Sequence, residues 1–84
     1  MFDYYFTFRS VTPAQRAQAL LRELHIPSEV RRLPKFLSGR GCGYAVVVDA
    51  ARGIPTARAL QSAGVSYGTV YKISFDGSVE ETRL

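Results

Sequence analysis

The order of strand-like and helix-like segments along this 84-residue chain predicts an α+β fold of the ferredoxin-like βαββαβ class. Such a fold is one four-stranded antiparallel sheet with two helices on one face, here with room for an extra C-terminal edge strand. Three observations carry the expectation. An aromatic stretch near the N-terminus alternates apolar and polar side chains, a central run is apolar on both faces, and two segments with helical spacing each sit between strand candidates. Residues 1–84 read as a single domain, with residues 76–84 as either a hairpin strand or a frayed tail.

Asp3 to Arg9 sets Tyr4, Phe6 and Phe8 against Tyr5, Thr7 and Arg9, the pattern of a strand with one strongly apolar face, and its aromatic content marks it as central. Thr12-Pro13-Ala14-Gln15 reads as an N-cap, a proline at the first helical position and a capping-box glutamine. The helix that follows runs to about His25. Ala14, Ala17, Leu20, Leu21 and Leu24 form its apolar face, and Ile26-Pro27 ends it. His25 at this end reads as a cap that complements the helix dipole.

Ser28 to Leu33 is short and charged, as suits an edge strand whose charges discourage unwanted pairing. Gly43 to Asp49 reads as the second central strand, buried on both faces. Asp49 to Pro55 is a turn region, and Pro55 opens a second helix carrying Ala57, Leu60 and Ala63 until Gly64. Gly68 to Phe75 is the fourth strand, and Asp76-Gly77 offers a hairpin turn into Ser78 to Thr82.

The composition, 46% apolar and 21% charged, is that of an ordered globular domain. The longest apolar stretch, Tyr44 to Val48, falls far short of the roughly 20 residues of a membrane-spanning helix, so no membrane partner is expected. The N-terminus begins at once with strand-like residues rather than a basic leader, and a cytoplasmic location is the expectation. One cysteine and one histidine provide neither an internal disulfide nor a zinc site, and no cofactor or metal is anticipated.

The net charge is +4, and Arg31, Arg32, Lys35 and Arg40 fall within ten positions of one another. They form either a solvated loop or a basic rim for an anionic partner. Tyr4, Phe6, Phe8, Tyr67, Tyr71 and Phe75 are aromatic residues that core packing or a base-stacking platform would use. The fourth strand lacks the basic-Gly-aromatic run of RNA-recognition modules, so nucleic acid is not the expected partner.

The most chemical feature is the only cysteine, Cys42, in a Gly41-Cys42-Gly43 step after the basic loop Lys35 to Arg40. Flanking glycines leave the sulfur approachable, and Lys35, Arg40 and backbone N–H groups of a glycine-rich turn would favour the thiolate. A buried, inert cysteine entering a strand is the competing reading. No serine-protease pattern, zinc-protease run, P-loop or paired carboxylates occur, so the chain reads as a carrier or binding module rather than a self-contained enzyme.

At Pro34, Lys35, Leu37, Ser38, Cys42, Gly43 and Ala45 the chain resembles a family of small bacterial domains, formerly of unknown function, described as selenium/sulfur carrier protein-like. Tyr4, Tyr5, Thr7 and Phe8 match its opening strand, and Leu24, Ile26 and Pro27 match the end of its first helix loosely. The loop before Cys42 is about one residue longer than the family pattern, and Arg40 stands where small residues are usual. The resemblance implies a sulfur or selenium carrier with Cys42 as persulfide or selenopersulfide acceptor, supported by Lys35, Arg40, Gly41, Gly43 and Ser38. Its partners would be proteins that donate or accept the chalcogen, and a homodimer through the exposed edge strand is left open. The alternative is a non-enzymatic regulatory or protein-interaction module in which Cys42 is structural.

Overall fold

A computed structural model describes residues 1–37 and 43–84. The chain runs β1 (Phe2–Phe8), α1 (Val11–Glu23), β2 (Glu29–Arg32), β3 (Tyr44–Asp49), a 3-10 turn (Ala50–Arg52), α2 (Gly53–Ser62), β4 (Val70–Ser74) and β5 (Val79–Thr82). The five strands form one sheet in the order β2-β3-β1-β4-β5, every neighbouring pair antiparallel. The expected four-stranded sheet is therefore a five-stranded one. Its fifth strand is the C-terminal segment: Gly77 takes a positive φ of 89°, the Asp76 carboxylate accepts from the Ser78 N–H at 2.9 Å, and Ser74 donates to the Ser78 carbonyl. That turn chemistry returns the chain onto β4.

β1 is central because both its edges are used, against β3 and β4. Phe6 lies opposite Val46 on one side and Val70 on the other, so these three side chains share a sheet face. On that face Phe6, Phe8, Val46, Val48 and Val70 form one core with Ala14, Ala17 and Leu21 of α1 and Ala57 and Leu60 of α2. Fully burying a Phe, Val or Leu side chain contributes roughly 1.5–3 kcal/mol, so this layer supplies most of the drive to fold. Tyr67 meets the Phe6 ring edge-on at 5.1 Å, and Tyr4 packs against the same cluster. Four of the six aromatic residues considered for base stacking, Tyr4, Phe6, Phe8 and Tyr67, are thus core, while Tyr71 is buried and Phe75 stands 90% exposed beyond the end of β4. They form no continuous platform.

Both helices begin two residues earlier than the sequence suggested. The N-cap of α1 is Ser10, in extended conformation, not Thr12, and no side chain caps the helix there, so the Gln15 capping box is absent. Pro13 is the third helical residue, and Pro55 holds the third place in α2. The displacement is harmless because the first four N–H groups of a helix have no intrahelical acceptor, so proline loses nothing at any of the first positions.

Candidate functional site

The strands that flank the candidate loop are paired residue by residue, Glu29 with Val47 through Arg32 with Tyr44, so the chain leaves β2 and re-enters β3 at one end of the sheet. Several bonds fasten the base of this loop. Leu33 donates its N–H to the Gly43 carbonyl at 3.0 Å, and Gly43 donates to the Phe8 carbonyl at 3.1 Å. Leu33 is buried. The Arg32 guanidinium donates to the Tyr44 hydroxyl at 3.3 Å and lies 5.6 Å from the centre of the same ring. Opposed positions of a hairpin thus hold the two strand ends together.

From Leu33 the chain turns at once, with the Leu37 N–H donating to the Pro34 carbonyl at 2.9 Å. This turn puts Lys35 and Phe36 at the surface, Phe36 at 72% exposure. An aromatic ring left in water beside a cation is a feature that strand and helix periodicity does not reveal, although an apolar residue inside a basic, proline-led turn is its visible signal. Gly43 is half-buried, and a methyl added to it would meet no atom within 4 Å. No steric crowding at Gly43 itself demands glycine.

Of the site residues chosen from sequence, Lys35 and Gly43 fall at the two ends of this loop. Ser38, Arg40, Gly41 and Cys42 lie outside the described residues. Arg31 and Arg32, of the basic cluster, do not share one rim. Arg31 and Arg32 are consecutive in a strand and so point to opposite faces. Arg31 donates to the Glu29 carboxylate at 2.8 Å and to the Tyr5 hydroxyl at 3.1 Å. That bond to Glu29 binds the Arg31 proton more firmly and holds the Glu29 carboxyl below its usual range. Arg32 is instead engaged with Tyr44.

Topology adds two cations that the linear cluster did not contain. Arg9 follows the end of β1 and Arg83 follows the end of β5, and the antiparallel order brings both termini to the end of the sheet from which the loop leaves. A cleft of about 480 Å³ opens at this end between the start of β4 and the end of β5, lined by Tyr67, Thr69, Glu81, Arg83 and Leu84 among others. Among the described residues no group of three or more His, Cys, Asp or Glu side chains is placed to hold a metal ion, and no helix is long and apolar enough to cross a membrane.

No curated protein and no solved structure matches the chain. A family model does, over residues 3–72, and its description is "Putative Se/S carrier protein-like". The match takes in β1 through the middle of β4, with both helices and the whole of the loop between β2 and β3. The chain belongs to this Se/S carrier protein-like family.

Proposed function

We propose that the protein is a single-cysteine chalcogen carrier in which Cys42 accepts sulfur or selenium as a persulfide or selenopersulfide. The observation that carries this reading is the family match across residues 3–72, which spans the one thiol of the chain. In the sulfur case the Cys42 thiolate attacks the outer sulfur of a donor persulfide. A new S–S bond forms at Cys42, the donor S–S bond breaks, and its electron pair leaves with the donor thiolate, so no net oxidation occurs. A thiol on an acceptor protein completes the relay by the same exchange. One sulfur suffices for such a relay, whereas a thiol oxidoreductase needs a second to resolve its mixed disulfide.

Lys35, Arg40, Ser38, Gly41 and Gly43 are proposed to favour the anion and to leave it approachable. The fastened loop base supports this role, because a carrier cysteine must be presented from a fixed stem to partners of different shape. Exposed Phe36 beside Lys35 supports a loop that meets protein donors and acceptors. The fold is proposed to be ferredoxin-like with β5 as an addition: β3 inserted between β1 and β2, and β1 between β3 and β4, support it.

The test is the alkylation rate of Cys42 as a function of pH, with mass analysis after incubation with a persulfide donor. A thiol pKa below the free value of about 8.5 and an adduct of one sulfur atom that Cys42→Ser abolishes are expected. An ordinary or raised pKa with no adduct would favour the structural cysteine.

A further inference from the structure

β2 is an edge strand, paired with β3 on one side only. In an antiparallel ladder, residues whose N–H and C=O both point to one neighbour alternate with residues whose groups point away. Leu33 donates to the Gly43 carbonyl, so in the β2–β3 register Glu29, Arg31 and Leu33 direct their backbone groups to β3. Ser28, Val30 and Arg32 direct theirs outward. The other side of the sheet gives the same parity. Thr7 donates to Thr69 and accepts from Gly68, so Thr7, Tyr5 and Asp3 face β4 while Phe6 and Tyr4 face β3. Val46 and Val48 then face β1, which leaves Ala45 and Val47 for β2. The Ser28 carbonyl, pointing outward, accepts from the Gln18 side-chain amide at 3.5 Å.

A second antiparallel β2 must match outward-facing residues with outward-facing residues. Four registers centred on a residue of β2 do so, with Glu29, Val30, Arg31 or Arg32 opposite the same residue of the partner. The first sets two carboxylates face to face, and the last two each set two guanidiniums face to face, which is destabilising in every case. The Val30 register alone places Glu29 opposite the partner's Arg31 and, by the two-fold symmetry, Arg31 opposite the partner's Glu29. Both pairs fall on the sheet face away from the helices, and Val30 meets the partner's Val30 on the helix face. Glu29 and Arg31 are exposed and bonded to each other within the single chain, so each has its complement ready to be exchanged for the partner's. On β5, by contrast, the registers centred on Glu80 or Glu81 oppose like carboxylates.

We propose that this chain forms a closed, two-fold dimer by antiparallel pairing of β2 with β2 of a second copy, in the register that sets Val30 opposite the partner's Val30. The charges that discourage pairing at this edge thereby select one register of one partner. The inference goes beyond the carrier reading and stands without it.

Sedimentation equilibrium of the full chain over a concentration series, with reductant present to keep Cys42 out of intermolecular disulfides, tests it. The unaltered chain is expected to follow a monomer–dimer equilibrium. Arg31→Glu or Glu29→Arg alone should each weaken the dimer by about tenfold or more, because each turns two opposite-charge pairs into like-charge pairs. The double variant carrying both substitutions should recover most of the loss, as should mixing the two single variants, whose charges are complementary. Both sites of change are exposed, and unchanged far-UV circular dichroism verifies the fold. A monomer at every concentration, single variants that dimerise like the unaltered chain, or an open-ended polymer from β2 meeting β5 would each overturn the proposal.

Discussion

α1 and α2 end in the same backbone motif on different residues. In α1 the Ile26 N–H donates to the Leu21 carbonyl and His25 to Arg22, with His25 at a φ of 59°. In α2 Val65 donates to Leu60 and Gly64 to Gln61, with Gly64 at 71°. Both are Schellman endings, which need a left-handed residue just past the helix. Glycine takes that conformation without a Cβ clash, while a residue with a side chain pays roughly 1–2 kcal/mol in the same region. His25→Gly is therefore expected to stabilise the protein by about 1 kcal/mol, read as a higher urea midpoint with an unchanged slope. A lower midpoint would mean that the imidazole makes a contribution greater than the strain. The sequence reads His25 as a cap acting through its imidazole on the helix dipole; in the structure Leu24 is the C-cap, and His25 is instead the left-handed residue that follows it.

At the scale of the element, the seating of α2 on the sheet depends on one close approach. A Cβ on Gly53, the first residue of α2, would overlap the Tyr4 ring of β1. Glycine there lets the helix start directly over the aromatic ring, and Asp49 steers the chain to that point by accepting the Arg52 N–H at 3.2 Å. Gly53→Ala should cost about 1–3 kcal/mol, because the ring must shift within a packed layer. Thermal unfolding would measure it, and Tyr4→Ala in the same background should remove much of the penalty by making room. An unchanged midpoint in Gly53→Ala would show that Tyr4 moves aside freely. Nothing in the local sequence marks this glycine, since its neighbour across the contact lies 49 positions away by chain number (53 − 4).

For the whole molecule, two exposed carboxylates contribute a modest acid sensitivity. Glu29 is held below its usual range first by the Arg31 hydrogen bond, and Asp76 first by hydrogen bonding from Ser78. Each binds its proton more weakly in the fold than in the unfolded chain. The stability each contributes is complete above the unfolded values and is lost as pH falls through the lower folded ones. The urea midpoint should therefore begin to decline below pH about 4.5, and only modestly because both groups are solvated. Glu29→Gln with Asp76→Asn should flatten that decline. A double variant that declines as steeply as the unaltered chain would assign the acid sensitivity elsewhere. The two groups sit at opposite edges of the sheet, so the loss is distributed over the β2 strand and the β4–β5 turn.

Strand identity, the edge character of β2 and the centrality of β1 and β3 were legible in residue order, because burial on one face or two leaves a periodic trace. Phe6 and Phe8 alternate with Tyr5 and Thr7, and the run Ala45 to Val48 is buried throughout. The attention drawn to Cys42 likewise came from sequence alone, through glycine, charge and family resemblance. Other features required the tertiary structure. Adjacency in number placed Arg31 and Arg32 in one basic cluster, but a strand's two-residue period sends them to opposite faces. The Arg32–Tyr44 clasp, the Gly53–Tyr4 contact and the register of the β2 edge each join residues that only strand pairing or helix docking makes neighbours. Patterns that act along the chain were written in the sequence, and relations across it arose only once the sheet had closed around β1.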